Sequence, residues 1–440
     1  MLEKREDGVF FNQDGVQLEL QGPRGTSESV PQPSKSSIIR QGIQLYYITH
    51  VDNIRSIAQH GVLSHEEVNN RGIKFTPIYD ESIVESRKNK STPDKKSLWK
   101  YANLYFQPRN AMLYRVSIEK SIDQIAIVTV DSRSVINGPG VMITTGNAAH
   151  HLTEIIPTTP RKRIGEAFSK FREAIQLDFW REDDGTKRMM MAECLVPDRV
   201  PPEAITTIYT PGQETADQAR ASLNSAGRGT ISVIPNPHMF FEPSLRQQLT
   251  PNLTILAGDM FFSRMQTLTV SVNTVGIMGK GVASRAKYQF PDVYVEYQRA
   301  CRNKKLRMGR PYLYKREKSL DYELADDPTT LNEANNQTWF LLFATKNHFS
   351  ERASKQGIER GLNWIRDNCE GEGIKSLAVP ALGAGLGRLD WADIGPVICQ
   401  NLAALDIEVE VYLPAERAIP REQLSRDFLL SKKVSSDRTL

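Results

Sequence analysis

The chain has 440 residues, 40% of them hydrophobic and 25% charged, the make-up of a globular protein long enough for two or three domains. Four scattered cysteines (Cys194, Cys301, Cys369 and Cys399) form no CxxC pair, which excludes a disulfide scaffold and a cysteine zinc site and suits a reducing cytosol. With no run of ~18 apolar residues and no signal-type apolar core at the start, a cytoplasmic protein without a membrane span is expected, and a formal charge of +4 permits an anionic partner without requiring one.

Residues 1–38 include a Pro/Ser/Gly-rich stretch at 21–38 and are expected to be disordered. From 39 to 241 apolar periodicity returns. Leu45 to His50 is rich in aromatic and β-branched residues and predicts a strand. Asp52 then caps a helix that stops at Gly61. Strands are expected at Met112–Ser117, Ile125–Val130, Ala192–Val196 and Ile231–Ile234. Short strands separated by long charged loops predict an α+β fold with an antiparallel sheet. A Pro-rich linker is expected at 242–252. A second domain, 253–416, alternates strands (Leu253–Ala257, Leu268–Val272, Trp339–Ala344, Ser376–Pro380, Val409–Leu413) with helices, as in Ser354–Asn368. That alternation predicts an α/β fold of three layers, its mostly parallel sheet covered on both faces. Residues 417–440 read as a tail, and 313–337, rich in charge, as an inserted loop.

Two glycine-rich loops carry the chemistry of the second domain. One runs from Asn273 and Thr274 through Gly279, Lys280 and Gly281; the other holds Gly383, Gly385, Leu386 and Gly387. Each joins a strand to a helix, where backbone N–H groups and the helix N-terminus favour a phosphate. Either alone reads equally as a tight turn; two in one α/β domain favour a diphosphate crevice. Neither matches the P-loop or dinucleotide fingerprints. The sequences VNTVGIMGKG and PALGAGLGRLDW resemble a macrodomain, an ADP-ribose-binding fold, and within it the DarG antitoxin type, which removes ADP-ribose from DNA bases. The resemblance implies that all nine of these loop residues hold ADP-ribose. It makes Lys346, in the run FATKNHF, the catalytic lysine, a nucleophile or acid–base group at a strand end. Without the resemblance Lys346 reads as a surface lysine, and His348 as a packing residue or a DNA contact.

In the first domain Glu193 lies between Ala192 and Cys194 in an apolar strand. Glutamate is rarely buried unless paired, although alternation along the strand also allows a wet face. The runs ITH with HGVLS, RNAMLY and AECLVP resemble the DarT family, the NAD-dependent ADP-ribosyltransferases of single-stranded DNA. The resemblance makes Glu193 catalytic, with Arg87 near the NAD phosphates or the acceptor base. It places Thr49, His50, Tyr79 and Arg87 at the NAD, and His150 and His151 in a substrate-recognition loop. Lys96, Lys100 and Arg109 interleave with aromatic residues, a mix that suits single-stranded DNA and reads equally as an amphipathic helix with core aromatics.

Together these imply a fused toxin and antitoxin. NAD is a substrate, no metal is involved, and the partners are single-stranded DNA and ADP-ribose. The two halves are expected to contact one another within a monomer. Thymine is the expected base, with guanine the alternative. The rival readings are a non-enzymatic reader of ADP-ribosylated targets on a degenerate transferase scaffold, and an RNA- or protein-directed transferase.

Overall fold

The computed structural model describes residues 3–4, 10–11, 17–18, 43–79, 81–331 and 337–431. The stretch 21–38, read as disordered, lies outside them. Before it, Glu3–Lys4, Phe10–Phe11 and Gln17–Leu18 pair as a small three-stranded sheet, so the segment 1–38 is not uniformly without strands.

The first half is built on eight strands: β1 (Gln44–His50), β2 (Tyr101–Tyr105), β3 (Ile125–Asp131), β4 (Met142–Thr144), β5 (Ile155–Pro157), β6 (Glu193–Pro197), β7 (Ile205–Thr210) and β8 (Ser232–Pro235). Their order across the sheet is β8-β7-β3-β1-β2-β6-β4-β5, antiparallel except for the β7–β8 pair. The strand β3 is buried along six of its seven residues, which is why its sequence reads as an apolar run interrupted before its end only by Thr129.

The second half is a seven-stranded sheet. Its strands are β9 (Leu245–Thr250), β10 (Leu253–Ala257), β11 (Thr267–Asn273), β12 (Tyr312–Tyr314), β13 (Trp339–Lys346), β14 (Ser376–Pro380) and β15 (Glu408–Tyr412). The order is β9-β10-β15-β14-β11-β13-β12, with antiparallel edges and a parallel centre. Helices Lys355–Glu372 and Trp391–Leu402 pack on one face. Helices Gly281–Gln289 and Pro291–Arg302 pack on the other.

Four expectations need correcting. Met112–Ser117 is not a strand: Ala111–Glu119 is a helix, started by the Asn110 side chain accepting from the Leu113 N–H at 3.1 Å. The linker 242–252 contains β9, which pairs with β10 and gives the second sheet an edge strand. The tail beyond 416 is partly folded: Arg426–Leu430 is a helix with Leu429 buried in the second core. The inserted loop is not coreless, since Leu320, Leu324, Ala325 and Leu331 are buried and Arg316 is held by Asp292 and Glu323.

That insert packs on the first half. Tyr114 donates to Asp321 at 2.8 Å, and the Trp180 indole to the Leu324 carbonyl at 2.9 Å. Arg115, 1% exposed at its side chain, pairs with Glu119 at 2.8 Å and Asp326 at 2.7 Å. Arg109 belongs to the same junction. It is 9% exposed and lies over the rings of Phe241 and Phe262. This overturns its assignment to DNA, because a guanidinium closed in by aromatic rings is not free to meet phosphates. Asp326→Ala is expected to lower unfolding free energy by about 3 kcal/mol, since it strips one partner from a buried cation. The check is the urea midpoint followed by tryptophan fluorescence; a midpoint equal to the parent's would mean that Glu119 alone satisfies Arg115.

Candidate functional sites

Glu193 begins β6, opposite Tyr105 of β2, and is 0% exposed. A carboxylate so placed must be paired, and it is. Arg87 donates to its two oxygens at 3.2 and 2.7 Å, and the Ala148 N–H donates to Oε1 at 2.9 Å. Burial works against the Arg87 charge, but the Glu193 carboxylate more than offsets it and leaves Arg87 above its ordinary value. Burial, then the Glu193 charge, push the Tyr105 phenol well up. The site is therefore a bidentate ion pair at a sheet strand, with one charge to spare for a cation only when Arg87 turns away.

Beside it is a pocket lined by Tyr47, Thr49, Asn53, His65, Phe75 and Tyr79, among others. Tyr79 meets His65 edge-on at 5.4 Å, and His65 meets Trp99 at 5.5 Å. Burial, with the Arg87 charge second, brings His65 down to about 4, so its ring is neutral near pH 7. Asn53 ties the pocket wall together. Its amide donates to the Thr76 carbonyl at 2.8 Å and to Thr49 Oγ1 at 3.1 Å, and its Oδ1 accepts from the Thr76 N–H at 2.8 Å. Thr49 and Tyr79 thus share one pocket, and Arg87 and Glu193 form one pair. His50 is not among the lining residues; its Nδ1 accepts from the Asp52 N–H at 3.1 Å and caps the turn after β1.

His150 and His151 stack on each other at 4.5 Å in the loop that Ala148 anchors to Glu193. His151 is exposed and His150 half-buried. Lys96 and Lys100 are exposed and pair with Asp94 and Glu66 at 3.2 and 3.4 Å. Of the aromatic residues interleaved with them, Tyr101, Tyr105 and Phe106 are core and Trp99 is half-buried.

In the second half three neighbouring parallel strands, β14, β11 and β13, end on the same side of the sheet. The second glycine loop follows β14 and the first follows β11. Asn273 and Lys346 are register partners at the ends of β11 and β13. Asn273 is 6% exposed. Its amide donates to the Ile277 carbonyl at 2.6 Å, and its Oδ1 accepts from Tyr297 at 2.8 Å, so it shapes the first loop from inside. Thr274 donates from N–H and Oγ1 to the Asn347 carbonyl, each at 3.1 Å, joining that loop to the one after Lys346. Lys280 precedes the Gly281–Gln289 helix in extended conformation. Gly383 has φ +80°, and a Cβ on Gly387 would lie 2.5 Å from the Gly383 carbonyl oxygen. Only glycine fits such close backbone approaches. Leu386 is exposed at the loop tip. Burial, then the Arg388 charge, lower the Lys346 pKa, with Glu351 opposing. Asn53, the Ala148 N–H, Tyr297, Glu351 and Arg388 escaped the sequence reading, because each acts through a contact that only folding makes.

Among the described residues no group of three or more His, Cys, Asp or Glu is placed to hold a metal, and no helix is long and apolar enough to cross a membrane.

Known proteins resemble both halves. The family model described as ssDNA thymidine ADP-ribosyltransferase, DarT, matches residues 46–241. A DNA ADP-ribosyl transferase–DNA ADP-ribosyl glycohydrolase fusion protein of Thermosipho africanus is 52% identical over 389 residues, 88% of this chain and 98% of that protein. The solved structure of Thermosipho africanus DarTG in complex with ADP-ribose matches at a TM-score of 0.80 and 50% identity, covering 88% of this chain and 99% of that one. A DNA ADP-ribosyl glycohydrolase of Thermus aquaticus is 34% identical over 165 residues, 37% of this chain and 42% of that protein. With nearly the whole length of a relative matched at this identity, the chain belongs to the family of DNA ADP-ribosyl transferase–DNA ADP-ribosyl glycohydrolase fusion proteins.

Proposed function

We propose that the first half, residues 39–241, transfers ADP-ribose from NAD to a base of single-stranded DNA, and that the macrodomain half removes it. The observation that carries the reading is the presence, in one chain, of two matched sites. A fully buried Glu193 is paired with Arg87 beside an aromatic pocket, and Lys346 is in register with Asn273 at the start of the first glycine loop, with Arg388 of the second within electrostatic reach.

In the writing step NAD occupies the pocket at Thr49 and Tyr79, with Arg87 turning from Glu193 toward the diphosphate. The bond from the ribose anomeric carbon to nicotinamide breaks, and nicotinamide leaves with the bonding pair. Glu193, uncovered, faces the oxocarbenium ion and stabilises it. A ring nitrogen of the base then bonds to that carbon, and its proton passes to the Glu193 carboxylate. The base must be out of any duplex, which makes a single strand the substrate. Thymine is the base, in keeping with the description of the matched family; guanine is the alternative. Exposed Lys96, Lys100 and the His150–His151 pair line the approach for the strand.

In the erasing step the glycine loops hold the diphosphate. The Lys346 amine attacks the anomeric carbon as the bond to the base breaks, and the base takes up a proton. Water then releases ADP-ribose and the free amine. The contacts at Tyr114, Arg115 and Trp180 support halves that are joined within the chain, which we take to act as a monomer in the cytoplasm. Fusion keeps each site at high effective concentration for the other.

Labelled NAD offered with separate DNA, RNA and protein pools tests this reading. Label on the DNA pool is expected; label on RNA or protein instead, or on nothing, favours the rivals. For the second half, Gly385→Glu is expected to abolish ADP-ribose binding in calorimetry. A Cβ added at Gly385 would lie 2.8 Å from a Glu416 carboxylate oxygen, so a second carboxylate there would crowd it and repel the diphosphate. Unchanged affinity would remove the second loop from the site.

A further inference from the structure

The loop after Lys346 carries two rings that neither step above uses. His348 and Phe349 lie 4.0 Å apart at 37°. Phe349 is 53% exposed and His348 half-buried. The pair is held in place. The His348 N–H donates to a Glu351 carboxylate oxygen at 3.3 Å, His348 Nδ1 is 2.7 Å from Ser350 Oγ, and the Glu351 N–H donates to the His348 carbonyl at 3.1 Å. The loop is also fastened to the first glycine loop through Thr274 and Asn347. Val275 and Ile277 of the first loop and Leu386 of the second are exposed as well. The two glycine loops and the loop after Lys346 thus each present an exposed apolar side chain beside their backbone.

The geometry points to the His348–Phe349 pair as a stacking platform for the modified base of single-stranded DNA. This inference rests on the reading of the second half as the eraser. The glycine loops claim the diphosphate side of Lys346. The base is bonded to the carbon that Lys346 attacks, which brings it close to that lysine, and residues 347–350 follow Lys346 directly in the chain. An unpaired base offers a flat π-face that aromatic side chains accept whatever the sequence. Arg388, within electrostatic reach of Lys346, supplies positive charge for the strand's phosphates. The platform thereby selects ADP-ribose attached to a base over ADP-ribose alone.

The test uses the full chain and an oligonucleotide modified by its Lys346→Ala variant, with no NAD carried over. Phe349→Ala is expected to raise KM for release of ADP-ribose on the order of 10-fold, and to leave calorimetric affinity for free ADP-ribose within about 2-fold. Phe349→Trp, which keeps a π-face, is expected to restore KM. An unchanged KM in Phe349→Ala overturns the platform, as does an equal loss of affinity for free ADP-ribose, which would make Phe349 a structural support of the crevice. A parent chain that releases no ADP-ribose from the oligonucleotide overturns the eraser reading and the platform with it.

Discussion

Glu193→Gln is expected to cut labelling of an oligonucleotide from NAD on the order of 10³-fold. Glutamine keeps the shape of the side chain and the bond from the Ala148 N–H. It removes the negative charge that faces the oxocarbenium ion and the oxygen that takes the proton. Alanine is the poorer test. The Arg87 side chain is 16% exposed and that of Glu193 0%; removing one member of such a pair costs about 3–5 kcal/mol, so a dead Glu193→Ala protein would confuse chemistry with folding. Circular dichroism and the melting temperature of the glutamine variant show whether the fold is kept. If a folded variant labels DNA at the parent rate, Glu193 is not the catalytic carboxylate.

The second large effect is at Lys346. Lys346→Ala is expected to leave modified DNA accumulating in cells where the parent leaves little, with ADP-ribose binding retained by the glycine loops. When one chain writes and erases, the steady level of the mark follows the ratio of two rates, and this change lowers one of them. Should the variant leave DNA as clean as the parent does, the macrodomain restrains the writer by covering it. Deleting residues 247–440 is a blunt way to ask the same question, because it also takes away the partners of Tyr114, Arg115 and Trp180. A pH profile sharpens the assignment. The lysine pKa is lowered by burial and by Arg388, so the neutral, nucleophilic amine becomes available at lower pH than for an exposed lysine. Erasure is expected to rise with pH through that lowered value and then level off. Arg388→Gln removes a cation that lowers the pKa, so the rise moves to higher pH; Glu351→Gln removes the opposing charge and moves it lower. A profile that ignores both changes would separate Lys346 from the rate.

Much of both sites is legible in the sequence because their elements announce themselves locally. The glycine loops sit between an apolar strand and a helix, and Glu193 interrupts an apolar strand. What the sequence conceals depends on distant partners. Ala111–Glu119 has apolar residues at six of its nine positions, and its Arg115 side is buried too, so its period does not separate helix from strand. Arg109 looks like a DNA contact beside Lys96 and Lys100 until Phe241 and Phe262 close over it. The insert at 313–337 looks solvated because its charges, Arg316 and Asp321 among them, are satisfied inside the fold. Strand β9 hides between Pro243 and Pro251, which read as a linker but suit an edge strand.

Arg115 and Asp326 stand 211 positions apart, and a ribosome adding ~5–20 residues per second takes on the order of 10–40 s to cover that distance. Until then the nascent DNA-modifying half has Tyr114 without Asp321, Trp180 without the Leu324 carbonyl and an aromatic face open to water. Lys346 is made only 20 positions after Asp326. The order of synthesis therefore sets a clock: the half that marks DNA finishes its packing at about the moment Lys346 leaves the ribosome.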